Sequence, residues 1–332
     1  MSLASEAAPA GVQDKKTLGE VLKSSMGVLG PFIMLILAIL IPALTLDNFF
    51  TQRNIINIIL QASIYIPLVI GMTFVITGGG IDLSVGAQVA LVGVIVGSWL
   101  TAGTMPIWMI LVGALLLGTI LGTINGLVIS WLKIPDFIVT LAFMEIWRGL
   151  ALVHSSGKIW HGFPDELRGL STYRVFDVLP LSVFLVFALV FLGAWMYRNT
   201  HFGRYAVAIG CNRDSATTIG ISVDRHKIYQ YGFLGLMCGI ASLLLMSRID
   251  SAQATMATGY EIHVIAATII GGTSIFGGKG NVWGALIGAL ILAIIANALI
   301  LANVQVFWRL VATGLVILLA VTINMYRERN AG

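Results

Sequence analysis

Ten long apolar stretches divide this chain almost from end to end: 27–46, 55–77, 85–102, 107–132, 134–153, 180–197, 229–247, 262–276, 282–302 and 306–325. A helix takes ~20 apolar residues to cross the hydrocarbon core of a bilayer. Lipid offers no partner for a free backbone N–H or C=O, so segments of this length and continuity cross as helices. The expected fold is therefore an all-α integral membrane protein with about ten transmembrane helices. Two of the stretches are weaker. The one at 134–153 contains Asp136, Glu145 and Arg148, and the one at 262–276 is short and ends in glycines, so some spans are expected to be broken or re-entrant.

Composition agrees. Of the 332 residues, 58% are hydrophobic and 10% charged, against ~25% charged in soluble domains. Two cysteines, Cys211 and Cys238, make no disulfide framework, and five scattered histidines offer no metal site. The net charge of +4 fits basic loops on the cytoplasmic face better than nucleic-acid binding.

Orientation follows from the same loops. With both termini cytoplasmic, twelve basic residues, Lys15, Lys16, Lys23 and Lys133 among them, fall on inner segments and five on outer ones. That is the sign of the positive-inside rule. The chain then divides into a cytoplasmic N-terminal tail (1–26), a membrane domain (27–326) and a cytoplasmic C-terminal tail (327–332). The outer loop at 154–179, with Asp165, Glu166 and Asp177 beside Trp160, Phe163 and Tyr173, reads as a surface loop with half-buried aromatics.

Between the second and third stretches stands Gly78-Gly79-Gly80-Ile81-Asp82-Leu83-Ser84. Three glycines interrupt any helix, and a carboxylate follows. Such a break survives at membrane depth only inside protein or beside water, and transporters build the interior of their pathways from interrupted helices; by local chemistry alone, an ordinary turn at the membrane surface joining two spans reads equally well. A carrier also needs energy. A phosphate loop wants a glycine where Thr273 stands and Ser or Thr where Gly280 follows Lys279, so the chain has no such loop. Intramembrane acids are few: Asp82, Asp136, Glu145 and Glu261, the last near His263. Glu145 and Arg148, three apart, are placed to neutralise each other. Energy is therefore expected from a separate subunit, the alternative being an ion-coupled secondary transporter of a small polar solute.

The inner loop offers such a subunit a handle. Asn212 or Asp214 can cap a short helix and Gly220 can end it in a left-handed turn. Ala216 and Ile219, three apart, are expected on one face of a compact knob; from spacing alone a helical loop lying on the membrane surface fits equally well. Within the spans, Ser and Thr mostly bond their own backbone; Gln88 and Asn297 carry amides less easily satisfied locally.

Four motifs in order carry a resemblance: Gly79 through Ala87, Ile134 through Leu141 with Arg148-Gly149-Leu150, Phe202-Gly203-Arg204-Tyr205 with Gly210 through Ile221, and Ile270 through Ser274 with Gly277 through Gly280. Together they resemble permease subunits of bacterial ABC importers of the ribose type, from about Asn48 to Tyr326. Asp136 departs from the pattern, standing where a second proline is expected. The resemblance implies a permease of the bacterial inner membrane, paired as a homodimer or related heterodimer and surrounded by lipid. It also implies a cytoplasmic ABC ATPase subunit and a periplasmic sugar-binding protein as partners, with no cofactor, no metal and no catalysis by this chain. It implies contact with the ATPase through Asn212, Arg213, Asp214, Ala216, Ile219 and Gly220. The translocation pathway is expected beside Gly80, Asp82, Ser84, Gln88, Gly272 and Asn297.

Overall fold

A computed structural model of the chain describes residues 18–175 and 179–331. Lys15, Lys16 and Asp177 lie outside the described residues, as do the side chains of Lys23, Arg327 and Arg329. The described chain is a helical bundle. In order come α1 (Leu18–Thr45), α2 (Gln52–Thr77), α3 (Val85–Ala102), α4 (Ile107–Leu132) and α5 (Asp136–Ser155). Then follow β1 (Trp160–His161), α6 (Asp165–Thr172), β2 (Arg174–Val175), β3 (Leu179–Pro180), α7 (Leu181–Asn199), α8 (His201–Cys211), α9 (Arg213–Thr218) and α10 (Val223–Ile249). The chain closes with β4 (Ser251–Ala252), α11 (Tyr260–Ile270), α12 (Val282–Leu301) and α13 (Val306–Ala331). The strands are two-residue antiparallel ribbons, β1 with β4 and β2 with β3.

Seven described helices are long and apolar enough to cross a membrane: α2, α3, α4, α5, α7, α10 and α12. The expectation of about ten is corrected to that extent. Of the other three stretches, α11 is only eleven residues long, while the described apolar parts of α1 and α13 are Gly30–Thr45 and Val306–Leu319. At 262–276 the reason is visible: α11 stops at Ile270, and Gly271 to Asn281 form a glycine-rich loop. All-α, multi-pass architecture stands.

The bundle is built around α2, α3 and α10, whose side chains are mostly buried, while α4, α5 and α7 show wide apolar faces outward. The most extensive crossing joins α4 to α10. A Cβ on Gly122 would stand 2.1 Å from the Tyr231 carbonyl oxygen, and one on Gly118 would stand 2.3 Å from that of Gly235. Spacing of four between small residues puts them on one helix face, where backbones can approach without intervening side chains. In the loop at 154–179, Phe163 and Leu167 are buried whereas Tyr173 is exposed, so the segment folds onto the bundle through α6 and the β1–β4 ribbon.

Candidate functional site

The glycine break is an ordered helix end. The Gly80 amide reaches back to the Val75 carbonyl at 2.9 Å and that of Gly79 to Ile76 at 2.9 Å, with Gly79 left-handed at φ 79°. This is the paired-bond stop that glycine permits. Gly78 and Gly80 serve close approach: their absent Cβ atoms would meet the Gln230 amide at 2.5 Å and Asp136 Oδ2 at 2.5 Å, respectively.

Asp82 turns inward and is fully buried. Its Oδ1 accepts from the Ser84 amide at 2.7 Å and the Ser84 hydroxyl at 2.6 Å. Its Oδ2 accepts from Gln88 Nε2 and Asn125 Nδ2, each at 3.3 Å. Both amides also reach Ser84 Oγ, at 2.9 and 2.7 Å. Trp147 Nε1 donates to Asn125 Oδ1 at 3.2 Å, which ties α5 into the cluster. Four donors around one carboxylate offset its removal from water. Gly80, Asp82, Ser84 and Gln88 are thus brought together, but in a closed knot that does not open to the protomer surface. Asn125 and Trp147 complete it. An amide in an otherwise apolar α4 was the available signal for the first.

A second polar cluster lies next to it. Lys227 Nζ stands 2.5 Å from Asp136 Oδ1. The Tyr231 hydroxyl is 2.9 Å from Asp136 Oδ2 and 3.2 Å from the Ile81 carbonyl oxygen. Thr140 Oγ1 donates toward the same Ile81 carbonyl at 3.2 Å. The break is thereby fastened to both α5 and α10.

Gly272 and Asn297 lie apart from this knot. Gly272 follows α11 in left-handed conformation, φ 92°, in a loop whose Gly278 amide donates to the Thr77 carbonyl at 2.9 Å. A Cβ on Gly271 would come within 2.3 Å of the Gly284 backbone, so these glycines allow close packing of the loop on α2 and α12. Asn297 is buried near the far end of α12, its Oδ1 without a partner among the described residues. From Gly284 to Asn297 the helix rises roughly 20 Å. The hydroxyls of Ser63, Thr73, Thr77, Thr119 and Thr123 bond carbonyls one turn back in their own helices.

The inner knob forms with a different face. Asn212 caps α9, its Oδ1 accepting from the Ser215 amide at 2.9 Å, and Gly220 ends the turn at φ 88°. Arg213 pairs with Asp224 at 3.1 Å, joining α9 to α10, and Asp214 lies in the first turn of α9. Ala216 is 2% exposed and packs in a small core with Ile209, Ile221 and Val223, whereas Ile219 is 73% exposed. The shared face is therefore corrected: Ile219 is the C-cap of α9, its amide still bonded to the Ser215 carbonyl at 3.2 Å, and its side chain protrudes while that of Ala216 is covered by Ile209, Ile221 and Val223. Arg148 also departs from expectation. Its Nη1 donates to the Ala254 and Met256 carbonyls at 2.6 and 2.9 Å, and it makes no ion pair with Glu145.

A family model described as branched-chain amino acid transport system / permease component matches residues 54–321. The chain belongs to this family. It is 39% identical over 298 residues to a ribose import permease protein of Haemophilus influenzae, covering 89% of this chain and 92% of that one. Against the ribose import permease protein of Bacillus subtilis it is 39% identical over 314 residues, 92% of this chain and 94% of the relative. Against a D-allose transport system permease protein of Escherichia coli it is 34% identical over 294 residues, 88% and 90% of the two chains. No solved structure matches the chain. The chain is a multi-pass permease of the bacterial cell membrane, and its chemistry is transport rather than catalysis.

Proposed function

We propose that this permease forms the membrane passage of an ATP-driven importer of a neutral monosaccharide of the ribose type. The observation that carries the reading is the 37–39% identity to ribose import permeases along about nine-tenths of both chains. Substrate is delivered by a periplasmic sugar-binding protein, and ATP is hydrolysed by a separate cytoplasmic ABC ATPase. Two permease subunits, identical or related, enclose the path and open alternately to either face.

The ATPase docks on α9. Ile219 is the protruding apolar contact, Asn212 and Gly220 fix the two ends of the knob, and Ala216 seats it on α10. Arg213 and Asp214 present charge beside that contact. Gly80, Asp82, Ser84 and Gln88 hold the wall of the path from behind, while Gly272 and Asn297 lie on the α11–α12 side of it. Helices α1, α11 and α13 also pass between the faces, which puts both chain ends on the cytoplasmic side. The eleven residues of α11 rise only ~16 Å; the turn residues before it supply the remaining depth. The basic residues of the inner segments support this orientation. The membrane domain is 27–326, with tails on either side of it.

The test is reconstitution in liposomes with the ATPase and the binding protein. ATP-dependent accumulation of ribose that is lost when either partner is omitted is the expected result. Accumulation by the permease alone, driven by an ion gradient, would overturn the reading.

A further inference from the structure

We propose that Glu145 of α5, together with Thr255 and Thr258 of the unwound stretch before α11, lines the water-filled solute path at membrane mid-depth. The inference deepens the importer reading and rests on it for the identity of the solute. Two independent observations meet here. Glu145 is the tenth of the twenty residues of α5 and is exposed, on a face shared with Ile138, Ala142 and Gly149. A Cβ on Gly149 would touch nothing within 4 Å. A carboxylate at mid-span does not face lipid; it faces a bundle interior or water.

The second observation is the backbone beside it. From β4 to α11 the chain is non-helical and runs along α3: Ala252 lies against Gly97, Met256 against Gly93 and Ala257 against Gly86. Those three glycines are eleven helical steps apart from first to last, ~16 Å of membrane depth. Thr255 and Thr258 are exposed along this stretch. Irregular backbone at that depth occurs only where protein buries it or water reaches it. Arg148 joins the two elements by taking the Ala254 and Met256 carbonyls. At the end of the stretch, Glu261 Oε2 is buried without a hydrogen-bond partner among the described residues.

A carboxylate that only accepts and hydroxyls that both donate and accept suit a neutral, polyhydroxylated solute. A second permease subunit supplies the opposite wall. The seam between the two is therefore wet at Glu145, not packed dry.

The test places Glu145→Cys or Thr258→Cys in the assembled importer, with Cys211→Ser and Cys238→Ala removing the native thiols. A membrane-impermeant cationic thiosulfonate is the probe. The thiolate is the reactive form and needs water, so both sites are expected to react on the order of tenfold faster than Leu116→Cys on the apolar face of α4. Reaction no faster than Leu116→Cys in every nucleotide state would overturn the proposal. Labelling requires neither sugar nor turnover, so it fails separately from the importer reading. In the native-cysteine chain, Glu145→Asp should retain more uptake than Glu145→Leu; the reverse order would also overturn it.

Discussion

Lys227 of α10 and Asp136 of α5 form an ion pair at 2.5 Å, with side chains only 10% and 11% exposed. The pair lies one step from the glycine break, because Tyr231 bridges Asp136 and the Ile81 carbonyl. Removing one partner of a buried pair leaves an uncompensated charge and costs about 3–5 kcal/mol. Lys227→Met is therefore expected to lower the unfolding midpoint of the detergent-purified permease sharply. The double change Lys227→Met with Asp136→Leu should recover most of that loss, and a thermal series on the three variants checks it.

Asp82 makes a contrasting prediction. It has no cationic partner among the described residues and is held by four donors from Ser84, Gln88 and Asn125. Asp82→Ala strands those donors in a buried site, at about 1–3 kcal/mol for each group left unsatisfied. Poor folding yield is the expected outcome. Asn125→Leu should produce a milder version of the same defect, read by the fraction recovered as monodisperse protein.

The α4–α10 seam has no room for a side chain. A Cβ on Gly122 would stand 2.1 Å from a carbonyl oxygen, so Gly122→Val must push the helices apart. The variant is expected to lose folded protein altogether. Gly314→Val on α13, where a Cβ would meet nothing within 4 Å, should be tolerated in the same expression assay.

At the knob, Ile219→Asp should leave the fold intact, because the side chain is exposed. It should nonetheless abolish ATP-dependent uptake. Ala216→Glu should unseat α9 by placing a charge in the small core with Ile209 and Val223. Uptake and binding-protein-stimulated ATPase, measured together, separate lost docking from lost folding. Normal transport by Ile219→Asp would remove α9 from the coupling role.

Gly220→Val adds strain of roughly 1–2 kcal/mol, since φ 88° lies in the region that only glycine adopts freely. A modest shift in thermal midpoint with a larger loss of coupling is expected.

Much of the fold was legible because lipid imposes one rule on every span. The stretches at 85–102 and 107–132 coincide with α3 and α4, where Gly103 in left-handed conformation and Pro106 punctuate the join. The stretch at 229–247 fell short of α10, which begins at Val223. Its first turns are charged, and their partners, Arg213 and Asp136, come from other elements. Caps were readable at Asn212 and Gly220 because they are local. The partners of Asp82 were not, since Asn125 stands 43 positions away. Arg148 lay three positions from an acid, yet its acceptors are carbonyls more than a hundred residues on, and carbonyls leave no mark in a sequence.

Backbone meets backbone where Gly118 and Gly122 of α4 cross Tyr231 and Gly235 of α10, so at those points no side chain can shift to absorb a displacement. The two helices behave as a single stiff beam, with α9 clipped to one end of it through Arg213 and Asp224. A displacement of α10 at that end is expected to carry to Lys227 and Tyr231, which lie one and two turns further along the same helix. The stretch before α11, by contrast, is turn rather than helix, and in the importer proposed above it is the expected place for shape to change when the passage switches sides.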